Sequence, residues 1–402
     1  MNILYIASGI PVPGTLGGST HTREVARGLA QRGHIVHLVA TGRPGWQGLA
    51  PFSRLVSSPG DGFYLHHQDV PKGLALMGAW PILRLVQAIR PDVIIERYYN
   101  FAGAGVWAAR RLGIPCLLEV NALIIDPPAV LKRRLDDRLG RPLRRWALTQ
   151  CRWATRIVTP LHTTVPTEIP RTKIIELPWG ADVTRFTPPD QQRTSGSGRP
   201  PTALFLGSFR AWHGVVDFVR AAVLLLERGY DYRFTLVGDG PERPAAERYA
   251  AAWPGRFRFT GAINYEQVPA ELYQAAVGVA PFATRAHPAL QAAGFFWSPL
   301  KIYEYMAAGL PVVTADLPPL NTIIREGVEG ALFREGDIVD LAQAIMRVLE
   351  NLPAAQAMGA RARARVVAHY SWQRHCIELE QVLIAMCKTR IIGSVTGSDD
   401  QR

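Results

Sequence analysis

Residues 202–240 read TALFLGSFRAWHGVVDFVRAAVLLLERGYDYRFTLVGDG. An apolar strand is predicted at 202–208, followed by a glycine-bearing turn that ends at Gly214. An amphipathic helix is then predicted over 215–229, and a second apolar strand over 233–240. A strand, a helix and a second strand at this spacing predict a βαβ unit, whose two strands lie parallel in one sheet.

The N-terminal part of the chain repeats this plan. An apolar strand at 2–7 is followed by a loop that ends at Gly17 and Gly18, a predicted helix over 19–33, and a strand over 34–40. Further apolar strands follow in the two halves, at 92–96, 115–120 and 156–160 and at 257–261, 277–282 and 311–315. We therefore expect an α/β fold with two Rossmann-like domains built on parallel sheets.

The length of 402 residues also favours two domains. The polar stretch PDQQRTSGSGRPP at 189–201 is the predicted linker. It separates an N-terminal domain over 1–188 from a C-terminal domain over 202–370. A last helix over 371–388 is expected to pack back toward the N-terminal domain, and the tail 389–402 is expected to be disordered.

Composition narrows the class of protein. The chain has 45 Lys+Arg against 33 Asp+Glu, a net charge of +12, and 48% hydrophobic residues, as expected of a globular protein that prefers anionic partners. The N-terminus shows no secretory signal, and the apolar window at 73–89 is too short to span a bilayer. The four cysteines have neither metal-ligand nor disulfide spacing, so no metal is predicted and the cytoplasm is the expected compartment.

A dinucleotide cofactor does not fit the first glycine loop. Gly17 and Gly18 do not form a G-x-G-x-x-G pattern, and the strand after the helix ends in VATG instead of an acidic residue. A Rossmann fold that binds NAD needs that acidic side chain for the ribose hydroxyls. On their own, the two glycines are as consistent with a structural turn as with a ligand contact.

The turn before the helix at 215–229 is a candidate anion site. Arg210 and His213 would place a fixed cation and a titratable donor beside the free N–H groups of a helix N-terminus at Gly214, which suits a diphosphate. The alternative is a solvated arginine and a histidine packed on Trp212. The sequence leaves both interpretations open.

The helix PLKIYEYMAAG, at 299–309, is apolar except for Lys301 and Glu304. These two residues are three apart and therefore share one helical face. They either pair with each other or face a polar ligand. A carboxylate that accepts from two ribose hydroxyls and an ammonium that neutralises phosphate would together suit a nucleotide.

At this point six stretches, in order, resemble retaining glycosyltransferases of family 4 with the GT-B fold, whose two Rossmann-like domains face each other across a cleft. The resemblance covers nearly the whole chain. It lies in residues 17–39, 95–122, 173–188, 207–222, 236–282 (as LVGDGPE and FTGAINYEQVPAELYQAAVGVAPF) and 298–313.

The resemblance implies transfer of a sugar from a nucleoside-diphosphate donor, of UDP or GDP type, with retained anomeric configuration. The reaction needs neither a cofactor nor an essential metal, and the acceptor attacks on the leaving-group face. The donor is expected on the second domain and the acceptor on the first. The residues carried over are Glu304 on the ribose, Arg210 and Lys301 at the diphosphate, Gly17 and Gly18 beside the donor, and Gly207, His213, Gly214, Ile263 and Ser298 as further donor contacts.

The chain departs from the family pattern at three positions. His213 occupies the usual place of a lysine, Phe296 that of the first of two glutamates, and Asn121 that of a catalytic-site histidine. Asn121 is therefore included among the catalytic candidates, with Arg210 and Lys301. The nearby Glu119 is either a nucleophile or a structural acceptor. These departures leave the identity of the transferred sugar open.

The segment 131–156 has nine basic and two acidic residues, with leucines at helical spacing broken by Gly140 and Pro142. It predicts either docking on an anionic membrane or a solvated face whose leucines pack into the first domain. Nucleic acid is not an expected partner, because no recognised binding motif accompanies the charge.

These observations favour a cytoplasmic glycosyltransferase, peripheral at the inner membrane, that acts on a saccharide or lipid-linked acceptor in cell-surface glycan or glycolipid assembly. Two alternatives stay open. One is a GT-B epimerase, and the other is a catalytically silent nucleotide-sugar-binding partner of an assembly complex.

Overall fold

Parallel strands at the centre of two separate units organise the chain. The computed structural model describes residues 1–14, 17–42, 54–57, 61–68, 70, 72–188 and 200–396. The first unit comprises Met1–Pro178 and the residues from Trp372 onward, and the second comprises Trp179–Ser371.

The first unit contains an eight-stranded sheet in the order β3-β4-β2-β1-β5-β6-β7-β8. Only the edge strand β3 runs antiparallel to its neighbour. The strands are β1 (Asn2–Pro11), β2 (Ile35–Thr41), β3 (Arg54–Ser57), β4 (Tyr64–His67), β5 (Val93–Arg97), β6 (Cys116–Glu119), β7 (Arg156–Thr159) and β8 (Ile174–Glu176).

The second unit contains a six-stranded sheet in the order β11-β10-β9-β12-β13-β14, with every pair parallel. The strands are β9 (Thr202–Leu206), β10 (Arg233–Val237), β11 (Phe257–Gly261), β12 (Val277–Ala280), β13 (Val312–Ala315) and β14 (Gly330–Phe333).

Helices cover these sheets. The α-helices are α1 (Gly17–Gln31), α2 (Ala79–Ile89), α3 (Ala104–Leu112), α4 (Leu131–Arg138), α5 (Pro142–Trp153), α6 (Val215–Glu227), α7 (Arg243–Ala250), α8 (Val268–Tyr273), α9 (Pro288–Ala293), α10 (Leu300–Ala307), α11 (Leu320–Ile323), α12 (Ile338–Leu349), α13 (Leu352–His369) and α14 (Trp372–Thr396). Short 3₁₀ turns lie at Lys72–Gly78, His162–Thr164, Arg171–Lys173, Ala211–His213, Tyr265–Gln267 and Thr284–Ala286.

Each unit has its own hydrophobic core. Central strands such as β6 and β12 are buried along their whole length, as expected of parallel strands covered on both faces. In the second unit, aromatic side chains of β9 and α6 pack together, with the rings of Phe205 and Phe218 stacked 6.2 Å apart. Apolar burial of this kind is the main driving force for folding.

The strand order fixes where ligands bind. In the first unit β1 lies between β2 and β5, and in the second β9 lies between β10 and β12. Successive connections therefore leave these central strands in opposite directions. In open parallel sheets this reversal opens a crevice at the carboxyl ends of the strands. The turns after β1 and β9 are thus the expected ligand positions.

The predicted α/β class with two Rossmann-like domains is confirmed. The short strands β3, β4 and β14 were not predicted, because short runs of this kind do not distinguish a strand from other structure. The predicted break at Gly140 and Pro142 separates α4 from α5.

The boundary between the two units differs from the sequence expectation. The second unit begins at Trp179, so residues 179–188 belong to it and not to the first. The guanidinium of Arg363, on α13, donates to the carbonyls of Val183 and Phe186 and ties this segment down. Most of the predicted linker, 189–199, and the end of the predicted tail, 397–402, lie outside the described residues.

Helix α14 belongs to the first unit. It continues to Thr396, so residues 389–396 are helical and are not part of a disordered tail as predicted, because no proline interrupts the helix there. Its Glu380 accepts from His34 Nε2 at 2.7 Å and pairs with Arg32, both of which follow α1. Helix α14 is long, but among the described residues no helix combines the length and the apolar content needed to cross a bilayer.

Gly214, at the start of α6, provides a test of the turn after β9. Its φ is +71°, and a Cβ there would lie 1.7 Å from the carbonyl oxygen of Pro281. Gly229, after the same helix, has φ +86° with nothing within 4 Å of such a Cβ. We expect Gly229→Ala to lower the free energy of unfolding by about 1 kcal/mol and Gly214→Ala by about 3 kcal/mol, because only the latter adds a clash to the left-handed strain. Chemical denaturation of both variants measures the difference, and equal losses would contradict the close approach.

Candidate donor site and associated polar network

The turn after β9 is held by the neighbouring strand β10. Gly207 N–H donates to the carbonyl of Val237 at 2.9 Å, and Phe209 N–H donates to that of Asp239 at 2.8 Å. A Cβ at Gly238 would lie 2.0 Å from the Gly207 carbonyl oxygen, so only glycine permits this approach. These contacts fix the backbone at the carboxyl end of the central strand, where the sheet order predicts a ligand.

Lys301 is buried beside this turn. A Cβ at Gly207 would lie 3.0 Å from Lys301 Nζ, and the ammonium lies 4.3 Å from the ring centroid of Phe205 and 5.0 Å from that of Phe282. Among the described residues Nζ has no hydrogen-bond partner. Burial lowers the pKa of Lys301 to about 7, although the charge of Glu304 opposes the shift. Two aromatic faces stabilise the cation only in part.

Glu304 lies one turn further along α10 and is also buried. Its Oε1 accepts from the hydroxyl of Tyr265 at 3.0 Å. Burial raises the pKa of Glu304 to about 7, while Tyr265, Lys301 and Arg185 act in the opposite direction. The described residues contain no salt bridge between Lys301 and Glu304. A buried pair of this kind, with an unpartnered cation, is typical of a polar ligand site.

His213 differs from the expected cationic donor. Its Nδ1 lies 2.6 Å from the carbonyl oxygen of Ser208, which can only accept, so the proton resides on Nδ1 and Nε2 is an acceptor. Burial and the positive charges of Lys301 and Arg210 lower the pKa of His213 to about 2. The ring therefore stays neutral at physiological pH and adds no positive charge to the turn.

His213 also contacts Trp212, with ring centroids 3.7 Å apart, as in the packing alternative drawn from the sequence. Trp212 contacts Trp297 at 4.6 Å and His287 at 6.0 Å, which extends an aromatic wall along the turn. Arg210 is exposed, and within the described part of the chain no carboxylate pairs with it. Its charge contributes to lowering the pKa of His287.

Ser298 and Ile263, two other predicted donor contacts, lie on separate segments of the second unit. Ser298 is half-buried and its hydroxyl accepts from the Trp179 N–H at 3.0 Å. Ile263 is half-buried in the loop after β11, just before Tyr265. Phe296, at the position of the missing glutamate, is fully buried against Trp297, so its side chain is part of the hydrophobic packing.

The first unit has a polar network at the carboxyl ends of β1, β5 and β6. Glu119 accepts from the Tyr5 hydroxyl at 2.5 Å and from Arg97 Nη1 at 3.2 Å, and the Asn121 amide also donates to it. His21 Nδ1 lies 3.3 Å from the same carboxylate. With this many donors on two oxygens, Glu119 is better suited to holding Asn121 and Arg97 than to nucleophilic attack.

Gly17 begins α1, and Gly18 approaches the same network. A Cβ at Gly18 would lie 3.4 Å from Arg97 Nη2. The glycine pair therefore lies beside a cation at the carboxyl edge of the sheet, a position that favours anions.

Several residues of both sites were not predicted from the sequence. Tyr265 and Arg185 interact with Glu304, and Tyr5 and Arg97 bind Glu119. All four are distant in sequence from the residues that they support, and no local pattern could have indicated them. The described residues contain no group of three or more His, Cys, Asp or Glu side chains placed to hold a metal ion.

Two parallel sheets, each with a strand-order reversal, and a buried Lys–Glu pair beside a glycine turn define a class of nucleotide-binding α/β proteins. Comparison of sequences places the chain within this class. The sequence pattern described as Glycosyltransferase Family 4 matches residues 16–165, and that described as Glycosyl transferases group 1 matches residues 200–351. The chain belongs to these family 4, group 1 glycosyltransferases.

Characterised relatives share much of the chain. Alpha-D-kanosaminyltransferase of Streptomyces kanamyceticus is 23% identical over 327 residues, covering 75% of this chain and 82% of that protein. D-inositol 3-phosphate glycosyltransferase of Nocardia farcinica is 28% identical over 397 residues, covering 90% and 83%.

Solved structures show the same GT-B fold. Sucrose-phosphate synthase of Thermosynechococcus elongatus superposes with a TM-score of 0.71 at 17% identity, over 96% of this chain and 99% of that one. HepE of Anabaena, in complex with UDP, gives a TM-score of 0.70 at 14% identity, over 96% and 100%.

The titrations of Lys301 and Glu304 predict a bell-shaped pH dependence of nucleoside-diphosphate binding. A bound diphosphate raises the pKa of Lys301 above its free value of about 7, so affinity is greatest below pH 7 and falls as pH rises. Ribose hydroxyls that donate to Glu304 lower its pKa below about 7, so affinity falls as pH drops. Calorimetric titration with UDP and GDP should give a maximum near pH 7.

Two variants separate these limbs. Lys301→Met should flatten the alkaline limb of the pH profile. Glu304→Gln should remove the acidic limb, apart from the part that comes from titration of the ligand's own phosphate. That part is the same for all variants and cancels when they are compared. Unchanged limbs in both variants would show that neither group titrates against the nucleotide.

Proposed function

We propose that the protein transfers a glycosyl group from a nucleoside-diphosphate sugar to a saccharide or lipid-linked acceptor with retention of anomeric configuration. Family membership already makes the chain a glycosyltransferase. We place the donor site at the turn after β9 because of Lys301. Its ammonium is buried beside this turn and has no hydrogen-bond partner among the described residues. A diphosphate supplies the counter-charge that this cation lacks.

The orientation of the donor follows from the chemistry of the turn. The diphosphate lies against Lys301 and the N-terminus of α6, where backbone N–H groups and the helix dipole favour an anion. Glu304, held by Tyr265, accepts from the ribose hydroxyls. Exposed Arg210 is the second fixed charge at the turn, whereas neutral His213 contributes an acceptor nitrogen.

The rate enhancement that we assign to these groups is electrostatic. As the glycosidic bond to the diphosphate breaks, negative charge accumulates on the leaving oxygen. Lys301, protonated when the anion is present, and Arg210 stabilise that charge, and Lys301 needs no reorganisation because its side chain is already buried beside the turn. We assign no carboxylate nucleophile, since Glu119 is occupied by several donors. Attack by the acceptor on the leaving-group face is the route we propose.

We assign acceptor binding to the first unit and a role in cell-surface glycan or glycolipid assembly. No cofactor is assigned, because the nucleotide sugar, of UDP or GDP type, is a substrate. Two relatives are named as a D-inositol 3-phosphate glycosyltransferase and a 2-deoxystreptamine glucosyltransferase. These names support a hydroxylated acceptor for this protein. The cytoplasmic face of a membrane is the place that we propose for the reaction.

One assay separates this proposal from its two alternatives. Incubation with a labelled nucleotide sugar and an acceptor extract should release nucleoside diphosphate and label the acceptor. An epimerase would alter the sugar without needing an acceptor, and a silent binding partner would retain the donor unchanged. Either of these outcomes would overturn the transfer reaction while leaving nucleotide binding intact.

Kinetics of two variants test the assigned roles. Lys301→Ala removes a charge from a leaving group that becomes more negative in the transition state, so kcat should fall about 10²–10³-fold, more than the affinity falls. Glu304→Ala removes hydrogen bonds that exist in ground and transition states alike, so nucleoside-diphosphate affinity should fall about 10–100-fold with a smaller change in kcat.

Tyr265→Phe is the matched control for Glu304→Ala. It removes the supporting hydroxyl and keeps the carboxylate, so its loss of affinity should be several times smaller than that of Glu304→Ala. Steady-state kinetics and nucleotide titrations on all three variants decide the assignment. If Lys301→Ala and Glu304→Ala both keep the parental kcat and nucleotide affinity, α10 has a purely structural role.

A further inference from the structure

The first unit exposes apolar side chains on α4 that ordinary packing would cover. Leu131 is 69% exposed and Leu139 is 76% exposed, and Leu135 between them is also exposed. These leucines therefore do not pack into the first unit, in contrast to one of the two interpretations of the sequence. Leu143 and Trp146, further along, are half-buried and do contribute to packing.

Arginines alternate with these leucines on the same side of the helix. At about 100° per residue, Leu131, Arg134, Leu135 and Arg138 fall within one arc of α4. Arg134 and Arg138 are exposed, and among the described residues neither pairs with a carboxylate. The exposed surface of α4 is therefore both apolar and positively charged.

The two acidic residues of this segment do not offset that charge. Asp136 is buried and accepts from the backbone N–H groups of Leu143 and Arg144, at 2.7 and 3.1 Å, at the start of α5. Asp137 is paired with Arg133 and Arg141. Both carboxylates thus have structural partners.

A second exposed apolar segment lies at 72–80, where a 3₁₀ turn leads into α2. Met77 is 57% exposed and Trp80 is 64% exposed, and Leu74 and Leu76 are exposed as well. This segment overlaps the apolar window at 73–89, which is too short to span a bilayer. Its side chains nevertheless leave a large apolar patch uncovered, and such patches mark interaction surfaces.

Both segments adjoin the same short stretch of chain, residues 100–107. The ring of Trp80 lies 5.9 Å from that of Trp107 on α3. Lys132 Nζ donates to Asn100 Oδ1 at 2.9 Å, and Trp146 Nε1 donates to the Ala102 carbonyl at 2.8 Å. The two segments therefore flank the N-terminal end of α3, and we call their exposed residues the α3-flanking face.

We propose that the α3-flanking face docks on an anionic lipid bilayer, with Met77, Trp80 and the α4 leucines entering the interface and Arg134 and Arg138 meeting lipid phosphates. A helix with leucines and arginines on one side, together with an exposed tryptophan, matches the interface between headgroups and acyl chains. A nucleic acid would use the arginines but leave the apolar side chains in water. The proposal is independent of the donor chemistry, although it brings the enzyme to a lipid-linked acceptor.

Cosedimentation with vesicles tests the charged part. Arg134→Gln with Arg138→Gln should weaken binding to phosphatidylcholine vesicles that contain phosphatidylglycerol by about 25-fold at low salt, at about five-fold per arginine. The difference should shrink at high salt because lipid charge is screened. Arg285→Gln with Arg334→Gln, two exposed arginines of the second unit, is the matched control and should bind vesicles like the parent.

The apolar part needs a different variant. Met77→Ser with Trp80→Ser should weaken vesicle binding by about ten-fold or more at both salt concentrations, because the lost burial of apolar surface is not screened. Tyr249→Ser with Val339→Ser removes two comparably exposed apolar side chains of the second unit and should have no effect. Unchanged UDP binding in every variant shows that the protein is folded and that the donor site is intact.

Three results would overturn the proposal. Parental vesicle binding by both face variants would show that this surface does not meet lipid. Loss with the arginine variant alone would reduce it to electrostatic attraction and exclude insertion of the 72–80 segment. A protein that binds a duplex oligonucleotide, loses this binding when Arg134 and Arg138 are replaced, and does not bind vesicles would show that the charged surface binds nucleic acid.

Discussion

A buried ammonium group next to a fixed backbone turn is the constraint on which the donor site depends. Removing Lys301 Nζ from water is costly unless a partner replaces the lost hydration, and the rings of Phe205 and Phe282 do so only in part. Nζ stays out of water because α10, the helix that carries Lys301, is buried in the core from Lys301 to Ala307. The site is therefore organised to receive negative charge before any ligand arrives.

The rest of the second unit follows from holding that cation in place. Gly207 has φ +133° and lies beside Lys301 Nζ, whereas a Cβ at Gly214 or Gly238 would clash with the carbonyl oxygen of Pro281 or Gly207. His213 is kept neutral by burial and by the cations near it, so it adds hydrogen bonding without repelling Lys301. Together these features support the donor site that we propose at this turn.

Much of the fold could be predicted because parallel strands and their covering helices have strong periodic patterns. The two βαβ units, the break between α4 and α5, and the family were all predicted from the sequence. Edge strands such as β14 were not, since a short apolar run of this kind also fits a helix or a loop. Lys301 and Glu304 were identified from their spacing, but spacing could not show that they do not pair with each other. Glu304 instead accepts from Tyr265, which lies 39 positions away in the sequence.

The sequence was less informative where the outcome depends on tertiary surroundings. A histidine in a glycine turn could be a cation or a neutral acceptor, and burial beside the positive charges of Lys301 and Arg210 lowers the pKa of His213 and keeps its ring neutral. Leucines at helical spacing could face the core or the solvent, and Leu131 and Leu139 face the solvent. Glu119 could be reactive or structural, and its donors Tyr5, Arg97 and Asn121 come from separate strands and loops.

The central claim is that the second unit holds a nucleoside diphosphate at the turn after β9. A crystal structure of the protein with UDP or GDP bound tests it most directly. The account predicts both ribose hydroxyls within hydrogen-bond distance of the Glu304 carboxylate and diphosphate oxygens within about 4 Å of Lys301 Nζ, at the N-terminus of α6. A nucleotide bound elsewhere, or one whose diphosphate leaves Lys301 without a partner, would contradict it.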